Sequence, residues 1–189
     1  VETVVANADP LLRMGGVPVT LPPAAFLQAT ADGEAALVGA VTAILGEAAR
    51  VTDLFAGSGT FAFPASRTAQ VHAVDGAGPA IRALGEAARR AGRPVATEHR
   101  DLFRKPLSAE ELSRFDAAII DPPRAGAIAQ TEQLAASRIP VVAAVSCNPA
   151  TFTRDAERLV AAGFRLGRLW PVAQFRWSTH VELVAEFRR

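Results

Sequence analysis

The chain has 189 residues, half of them hydrophobic, which is enough to build one globular domain with a full core. Its 20 basic and 19 acidic residues leave a net charge of +1, so composition alone indicates no polyanionic partner. The single cysteine excludes an internal disulfide, and the three histidines show no metal-ligand spacing. No apolar stretch reaches the roughly 18 residues of a membrane span. We therefore expect a protein of the reducing cytoplasm, with no metal ion and no membrane contact.

The beginning of the chain has few features of a folded domain. Residues 6–24 are rich in proline and glycine, and no other stretch is typical of a linker. The first residue is Val1 rather than methionine, and the opening residues lack the pattern of a signal peptide. We therefore expect residues 1–24 to be a linker or the remnant of a preceding region, with one domain over residues 25–189.

Beyond residue 50, short apolar runs alternate with segments that have helical periodicity. The runs suit buried strands and cover residues 51–57, 71–76, 95–102, 115–123 and 139–147. The segments between them space their apolar residues for one buried helix face and cover residues 60–69, 78–91, 128–137 and 149–162. Such alternation predicts an α/β fold in which helices cover both faces of a parallel sheet.

The pattern changes at the end of the chain, where residues 164–172 and 181–189 are both strand-like and no helical segment separates them. A parallel pair would need a crossover of about a dozen residues or more, so the last strand is predicted to run antiparallel to its neighbours. A mostly parallel seven-stranded sheet with an antiparallel terminal hairpin is the Rossmann-like arrangement of the class I S-adenosylmethionine-dependent methyltransferases. In open sheets of this kind the ligand lies beyond the carboxyl ends of the strands, so residues there are the candidates for function.

A glycine-rich turn follows the first of these strands, in the segment DLFAGSGTF (53–61). Glycine lets the backbone turn tightly and approach a ligand closely, so Gly57 indicates a nucleotide-binding loop. Asp75 ends the second strand 18 residues later, close to the roughly 20 at which an acid binds ribose hydroxyls. Together they favour an adenosine-containing cofactor, although glycine turns also serve packing and an Asp at a strand end can be simply solvated.

The fourth and fifth strands end in the segments IIDPPR (119–124) and SCNP (146–149). Asp121 precedes two prolines that cannot continue a sheet, which fits either a rigid acid that positions a ligand or an ordinary Asp-Pro turn. Cys147 lies before a predicted helix, and the helix N-terminus or a nearby cation would lower the thiol pKa and yield a nucleophilic thiolate. The alternative is a cysteine that serves as a small buried hydrophobic residue.

Glu182 lies in the last predicted strand, within the segment STHVELVAEF (178–187). A carboxylate among the apolar residues of a strand is costly to bury unless it is paired or used. Glu186, nearer the strand end, represents the alternative of a solvated acid. His180 stands just before the strand and is more typical of a hydrogen-bonding histidine than of a metal ligand.

Five segments together resemble the C-terminal catalytic domain of the uridine-C5 RNA methyltransferases, which modify transfer RNA and ribosomal RNA. These segments are LPPAAFLQAT (21–30), DLFAGSGTFAFPAS (53–66), FDAAIIDPPRAG (115–126), VSCNPATFTRD (145–155) and FRWSTHVELV (175–184). The combination of DPPR with SCNP is specific, whereas the glycine loop is shared by most methyltransferases. The resemblance extends over nearly all of the chain.

The resemblance implies a role for each matching residue. Cys147 would attack carbon 6 of a uracil to form a covalent adduct, and Glu182 would be the base that removes the carbon 5 proton. The residues implied around S-adenosylmethionine are Gln28, Phe55, Gly57, Thr60, Asp75 and Asp121. Phe55 lacks the hydroxyl that the family usually has at its position, and Asp75 is one methylene shorter than the common glutamate. The segment FRWSTH (175–180) replaces a motif that usually carries Phe-Pro.

The implied product is 5-methyluridine in tRNA or rRNA, made by a monomer whose RNA-binding region precedes Val1. Other substrates stay open, because 5-methylcytidine enzymes also use a cysteine adduct and the near-neutral charge does not exclude small molecules. Adenine amino-group methylation uses a segment like Asp-Pro-Pro-Tyr without a cysteine, whereas Arg124 stands at the aromatic position here. A cofactor-binding or RNA-binding module without catalysis is a further alternative, which the presence of both Cys147 and Glu182 disfavours.

Overall fold

The computed structural model describes residues 10–174, 177 and 180–189, which form nine strands and six helices. The strands are Leu11–Met14 (β1), Val17–Thr20 (β2), Arg50–Leu54 (β3), Gln70–Asp75 (β4), Val95–His99 (β5), Ala117–Ile120 (β6), Val141–Ser146 (β7), Arg165–Val172 (β8) and Glu182–Arg188 (β9). The helices are Ala31–Leu45 (α1), Ala62–Ala65 (α2), Gly78–Arg90 (α3), Ala109–Leu112 (α4), Ile128–Ala136 (α5) and Pro149–Ala161 (α6).

Seven strands form one sheet in the order β5-β4-β3-β6-β7-β9-β8. The pairs among β3 to β7 are all parallel, and β9 runs antiparallel to both β7 and β8. The direction of β9 follows from its short connection to β8, which leaves no room for a crossover helix. The predicted α/β fold, with its antiparallel terminal hairpin, is therefore confirmed.

The sheet is covered on both faces, which explains why its central strands are mostly apolar. Helices α1, α2 and α3 and the β1–β2 hairpin pack on one face, to which Val51 and Ile119 contribute core side chains. Helices α4, α5 and α6 pack on the other face, together with Leu54 and Ile120. The first of these surfaces is called the α1 face below.

Three helices differ from the sequence pattern, and one of them, the short helix α4, was not predicted. The predicted helix over residues 60–69 is wrong in extent, because α2 covers only Ala62–Ala65. The Ser66 hydroxyl donates to the Phe63 carbonyl at 2.8 Å, and such a local bond competes with continuation of the helix. Helix α1 was not predicted either, and it begins after Thr30, whose Oγ1 accepts a hydrogen bond from Gly33 N at 3.0 Å. None of the described helices is both long and apolar enough to cross a membrane.

Part of the predicted linker is folded against the domain. Residues 11–20 form the β1–β2 hairpin, and Gly15 and Gly16 at its turn have φ angles of +56° and +88°. Positive φ at both central positions is what a tight two-residue hairpin turn requires, so these glycines mark a turn rather than a linker. Met14 and Val19 are fully buried in the core on the α1 face. Residues 1–9 lie outside the described residues, and the boundary at residue 25 stays a prediction.

Candidate active site

The carboxyl ends of the parallel strands bring three acidic residues to one face of the sheet. Asp53 in β3 pairs with Ala73 in β4 and with Ile119 in β6, so these residues lie side by side. Asp75 and Asp121 follow Ala73 and Ile119 by two positions, and strand alternation therefore places them on the same face as Asp53. This is the α1 face, where Ala73 and Ile119 belong to the core.

Cys147 and Glu182 come together at the same edge of the sheet. Ser146 in β7 pairs with Leu183 in β9, and this is the last pair of the antiparallel ladder at this end. Cys147 follows Ser146 and Glu182 precedes Leu183, so the two residues lie just beyond that pair on neighbouring strands. Glu182 is only 7% exposed, and Cys147 is half-buried. The fold thus brings together the two residues predicted to act as nucleophile and base.

The glycine-rich turn is held by the carboxylate of Asp75. Gly57 N donates to Asp75 Oδ2 at 2.8 Å, and Ala77 N donates to Asp75 Oδ1 at 2.6 Å. The side chain therefore joins the loop after β3 to the start of α3. Each carboxylate oxygen can accept more than one hydrogen bond, so Asp75 retains capacity for the hydroxyls of a ligand. Gly57 has a φ of +55°, and open space stands where a Cβ would be, which allows close approach of a ligand.

Phe55 starts this turn in an unusual backbone conformation. Its φ is +65°, a region that residues other than glycine rarely adopt. The amides of Phe55 and Ala56 both donate to the Val74 carbonyl, at 3.0 and 3.1 Å, which anchors the turn to β4. The ring of Phe55 packs against Phe103 with 5.3 Å between the ring centroids. Thr60, at the far end of the turn, is half-buried.

Gln28 lies on a groove between the β1–β2 hairpin and α1. Its Oε1 accepts a hydrogen bond from Gln174 Nε2 at 2.8 Å, and Gln174 Oε1 accepts one from Thr30 N at 3.2 Å. The groove has a volume of about 390 Å³, and its described lining includes Gln28 but no other predicted site residue. The structure therefore does not join Gln28 to the residues at the sheet edge, and its role stays a prediction.

Asp53 is a buried acid that the sequence analysis did not select. Its side chain is fully buried, and neither carboxyl oxygen has a hydrogen-bond partner among the described residues. Burial raises the pKa of Asp53 well above its usual value, and the charges of Asp121 and Asp75 add to the rise. The nearby backbone N–H of Ala62 opposes it without reaching hydrogen-bonding geometry. An acid inside the apolar run VTDLFA was the signal that could have identified this residue.

The pKa values of Asp121 and of the Cys147 thiol are both raised at this edge of the sheet. Burial raises the pKa of Asp121 to about 7, and the charge of Glu182 adds to the rise. The pKa of the Cys147 thiol is also raised, first by burial and then by the charges of Glu182 and Asp121. Arg124 lowers the Cys147 pKa by a smaller amount. The lowered thiol pKa expected from a helix N-terminus or a cation is therefore not found, because burial and two carboxylates outweigh the arginine.

The loop after β6 is fastened to the start of α6. Asn148 Oδ1 caps that helix by accepting a hydrogen bond from Ala150 N at 3.1 Å, while its Nδ2 donates to the Arg124 carbonyl at 3.0 Å. The Thr151 hydroxyl donates to the same carbonyl at 3.2 Å. These bonds fix the backbone of Arg124 beside the strand end that carries Cys147. They join the DPPR and SCNP segments, which lie apart in the sequence.

His180 contacts the predicted base. The distance between His180 Nε2 and Glu182 Oε1 is 3.2 Å, and His180 is the more exposed of the two side chains. Of the segment FRWSTH, residues 175, 176, 178 and 179 lie outside the described residues, so the departure from Phe-Pro noted there has no structural account. Among the residues that the structure does describe, no cluster of three or more acidic, histidine or cysteine side chains could hold a metal ion.

Residues 95–187 match the tRNA (uracil-5-)-methyltransferase family. The resemblance to the uridine-C5 RNA methyltransferases is confirmed. The matched stretch contains DPPR, SCNP and Glu182, and it does not include the glycine-rich turn after β3.

Individual relatives agree with this family. The chain is 50% identical over 190 residues to an uncharacterised RNA methyltransferase of Rhizobium meliloti, a match that covers 100% of this chain and 46% of the relative. It is 38% identical over 179 residues to the 23S rRNA (uracil(1939)-C(5))-methyltransferase RlmD of Chromohalobacter salexigens, covering 92% of this chain and 36% of that protein. The chain thus spans about half the length, or less, of the curated relatives it matches.

Solved structures agree as well. The tRNA (uracil-54, C5)-methyltransferase of Pyrococcus abyssi, in complex with S-adenosyl-L-homocysteine, superposes with a TM-score of 0.79 at 28% identity, covering 95% of this chain and 44% of that one. TYW2 of M. jannaschii, in complex with AdoMet, reaches a TM-score of 0.69 at 16% identity, covering 99% of this chain and 89% of that one. At that identity the second likeness concerns the fold alone.

Proposed function

We propose that this domain transfers a methyl group from S-adenosylmethionine to carbon 5 of a uridine in RNA, through a covalent adduct on Cys147 with Glu182 as the base. The observation that carries the proposal is the placement of these two residues just beyond the last pair of the β7–β9 ladder. Asp121 and Arg124 complete the site, since both act electrostatically on Cys147. A uracil ring between Cys147 and Glu182 can be reached by a nucleophile and a base at once.

The residues at the sheet edge fit S-adenosylmethionine. When bound, this cofactor supplies an electrophilic methyl group on a positively charged sulfur. Asp53, Asp75 and Asp121 form an acidic edge without a compensating cation among their described contacts, which suits a ligand that carries positive charge. We assign the ribose hydroxyls to Asp75 and the close backbone approach to Gly57. Further cofactor residues in this proposal are Gln28, Phe55, Thr60 and Asp121.

The chemistry needs a nucleophile because carbon 5 of uracil is too weak a nucleophile on its own. The Cys147 thiolate adds to carbon 6, and the electron pair displaced towards the carbonyl makes carbon 5 nucleophilic enough to accept the methyl group. Glu182 then removes the remaining hydrogen of carbon 5 as a proton. The electron pair of that bond restores the carbon 5–carbon 6 double bond, and the Cys147 sulfur leaves.

Without a bound substrate, the surroundings of Cys147 disfavour formation of its thiolate. Burial, Glu182 and Asp121 raise the pKa of Cys147, so the thiol holds its proton until the surrounding charge changes. Arg124 works in the opposite direction and stabilises the thiolate once it forms. We propose that this arrangement limits reaction of the free thiol and directs it towards a bound uracil.

RNA is the proposed substrate, and both tRNA and rRNA fit the relatives named above. The target uridine must leave its stack to enter the site, at a cost of a few kcal/mol that is lowest in a loop. With a net charge of +1, the chain itself supplies little of the phosphate attraction that dominates RNA affinity. We therefore propose that a region outside these residues contributes RNA binding. We also propose that the protein acts as a monomer in the cytoplasm.

A direct experiment compares the RNA of a deletion strain with that of its parent. Mass spectrometry of nucleosides from separated tRNA and rRNA should show loss of one 5-methyluridine, restored by the intact gene and not by a Cys147→Ala copy. If 5-methyluridine is unchanged and 5-methylcytidine falls instead, the substrate is a cytidine. If neither nucleoside changes, RNA methylation at carbon 5 is the wrong function.

A further inference from the structure

The proposed reaction leaves a proton on a buried group. The hydrogen of carbon 5 departs as a proton when the Cys147 adduct breaks, and Glu182 receives it in the function proposed above. Glu182 is only 7% exposed, so its carboxyl group has little direct access to water. Before the next turnover the carboxylate must be restored, and a buried base therefore needs a route by which the proton leaves.

His180 provides such a route. Its Nε2 lies 3.2 Å from Glu182 Oε1, within hydrogen-bonding distance. The His180 side chain is 25% exposed, against 9% for the side chain of Glu182, so the ring extends from the buried carboxyl group towards solvent. An imidazole can accept a proton on one nitrogen and release one from the other, and it does so near neutral pH.

We propose that His180 is a positioning residue that orients Glu182 and relays the carbon 5 proton from it to solvent, an inference that rests on the proposed function. The O–H bond at Glu182 breaks as an N–H bond forms at His180 Nε2, and the partly exposed ring then releases a proton to solvent. Glu182 regains its carboxylate and His180 its neutral ring. The relay moves one proton per turnover and needs no oxidant or reductant.

The described charged groups near the His180–Glu182 pair come from the ends of β6 and β7. Asp121, from the end of β6, interacts with Glu182, and both acids act on Cys147 at the end of β7. Arg124, from the loop after β6, is the described cation that acts on Cys147. These groups are unchanged in the His180 variants, so differences between those variants and the wild type report on His180 itself.

The test follows the covalent adduct in the full-length natural protein. The probe is total RNA from a strain lacking the protein, with methyl-labelled S-adenosylmethionine in a single turnover. Denaturing gels measure the adduct, and nucleoside analysis measures methyl transfer. The variants are His180→Gln, His180→Ala and Glu182→Gln. His72→Gln is the matched control, because His72 Nε2 lies 3.2 Å from Glu98 Oε2, the same contact on strands away from the site.

The relay predicts that His180→Gln forms the adduct and transfers the methyl group at the rate of the wild type. Its adduct should then decay about 10- to 100-fold more slowly, at or below the low end of what a positioned proton-transfer group contributes. Free imidazole should restore decay in His180→Ala but not in Glu182→Gln. In the wild type, decay should accelerate as the pH rises, because only a neutral ring can accept the proton, and His180→Gln should remove that dependence. His72→Gln should match the wild type throughout.

Two results would overturn the relay. The first is adduct decay in His180→Gln at the wild-type rate and with the wild-type pH dependence. The second is loss of methyl transfer in both His180 variants without rescue by imidazole, which would indicate a structural role. Failure of the proposed function looks different, since the wild type itself would then form no adduct and methylate no uridine.

Discussion

Cys147 and Glu182 follow directly on the pair Ser146 and Leu183, the last rung of the β7–β9 ladder, and burial together with the Glu182 charge raises the pKa of the Cys147 thiol. The charge of Glu182, the proposed base, thus acts on Cys147, the proposed nucleophile, before any substrate is present. Arg124 acts on the same thiol with the opposite sign. The reactivity of Cys147 can therefore be shifted in both directions by changing its neighbours.

The first prediction concerns that reactivity. Glu182→Gln removes a negative charge, so the Cys147 pKa should fall and alkylation by iodoacetamide should begin at lower pH. Arg124→Gln removes the opposing positive charge, so alkylation should begin at higher pH. The measurement is the alkylation rate of the peptide containing Cys147 as a function of pH, by mass spectrometry. Glu186→Gln, an acid further along β9 that is paired with Arg188, should leave the profile unchanged. Shifts of the same sign in both variants would contradict the proposed electrostatics.

The second prediction separates the roles of nucleophile and base. Cys147→Ala should form no adduct and methylate no uridine, because addition to carbon 6 is the first step. Glu182→Gln should add to RNA and transfer the methyl group, but release of the product should slow by roughly 10²- to 10⁴-fold. A denaturing gel with labelled RNA should show a persistent slow band for Glu182→Gln alone. Methylation by Cys147→Ala would exclude the covalent mechanism.

The sheet was predictable from sequence because its strands carry strong local signals, whereas α1 and the β1–β2 hairpin do not. Helix α1 has the sequence ADGEAALVGAVTAIL. Its many small residues reduce the difference in hydrophobicity between the buried and exposed faces, so the helical pattern is weak. In the hairpin, Gly15, Gly16 and Pro18 have the composition of a linker. The burial of Met14 and Val19 depends on tertiary contacts that no local pattern reveals.

The candidate site was predictable only as a set of strand ends. Sequence placed Asp75, Asp121, Cys147 and Glu182 at ends or starts of strands, but strand order decides which of them meet. Because β9 lies between β7 and β8 in the sheet, Glu182 lies beside Cys147 rather than at the outer edge of the sheet. The contacts of Asp75 with two backbone amides could not be inferred from spacing either.

The third prediction concerns cofactor affinity. Asp75→Ala should weaken S-adenosylmethionine binding by roughly 1 to 3 kcal/mol, because ligand hydroxyls and the Gly57 amide lose an acceptor. Calorimetric titration measures the dissociation constant. Asp116→Ala is the control, since Asp116 likewise accepts a backbone amide, that of Arg50, at 2.9 Å at the opposite end of the strands. The control should lose stability but keep its affinity, and unchanged affinity in Asp75→Ala would remove Asp75 from the site.

The fourth prediction concerns RNA binding. The 189 residues alone should bind RNA more weakly than the longest natural form of the protein, and with a shallower dependence on salt. The expectation follows from the net charge of +1, which leaves little phosphate attraction to screen. Filter-binding or anisotropy titrations at several salt concentrations provide the comparison. Equal affinities and equal salt slopes would mean that this domain carries the whole RNA-binding surface.

The last prediction concerns stability and pH at Asp121. Its pKa is raised to about 7 in the folded protein, first by burial and then by Glu182, whereas an unfolded Asp titrates near 3.9. Between about pH 4 and pH 7 the folded chain therefore keeps a proton that the unfolded chain has lost, and by linkage its stability falls as the pH rises through that window. Asp121→Asn removes this titration, so its stability relative to the wild type should increase from pH 4 to pH 7 and then stay level.

The stability of Asp121→Asn relative to the wild type should be higher at pH 8 than at pH 4 by roughly 1 to 4 kcal/mol. The upper limit corresponds to the full pKa shift of Asp121, and the lower limit allows for solvent near its half-buried side chain. Denaturant unfolding at a series of pH values measures it. Asp116→Asn is a control of opposite sign, because its hydrogen bond with Arg50 lowers the Asp116 pKa. That variant should be less stable than the wild type at neutral pH, with a difference that shrinks as the pH falls below about 4. If Asp121→Asn follows the pattern of Asp116→Asn, the carboxyl group of Asp121 is ionised at neutral pH in the folded protein, and burial and the Glu182 charge raise its pKa less than the structure indicates.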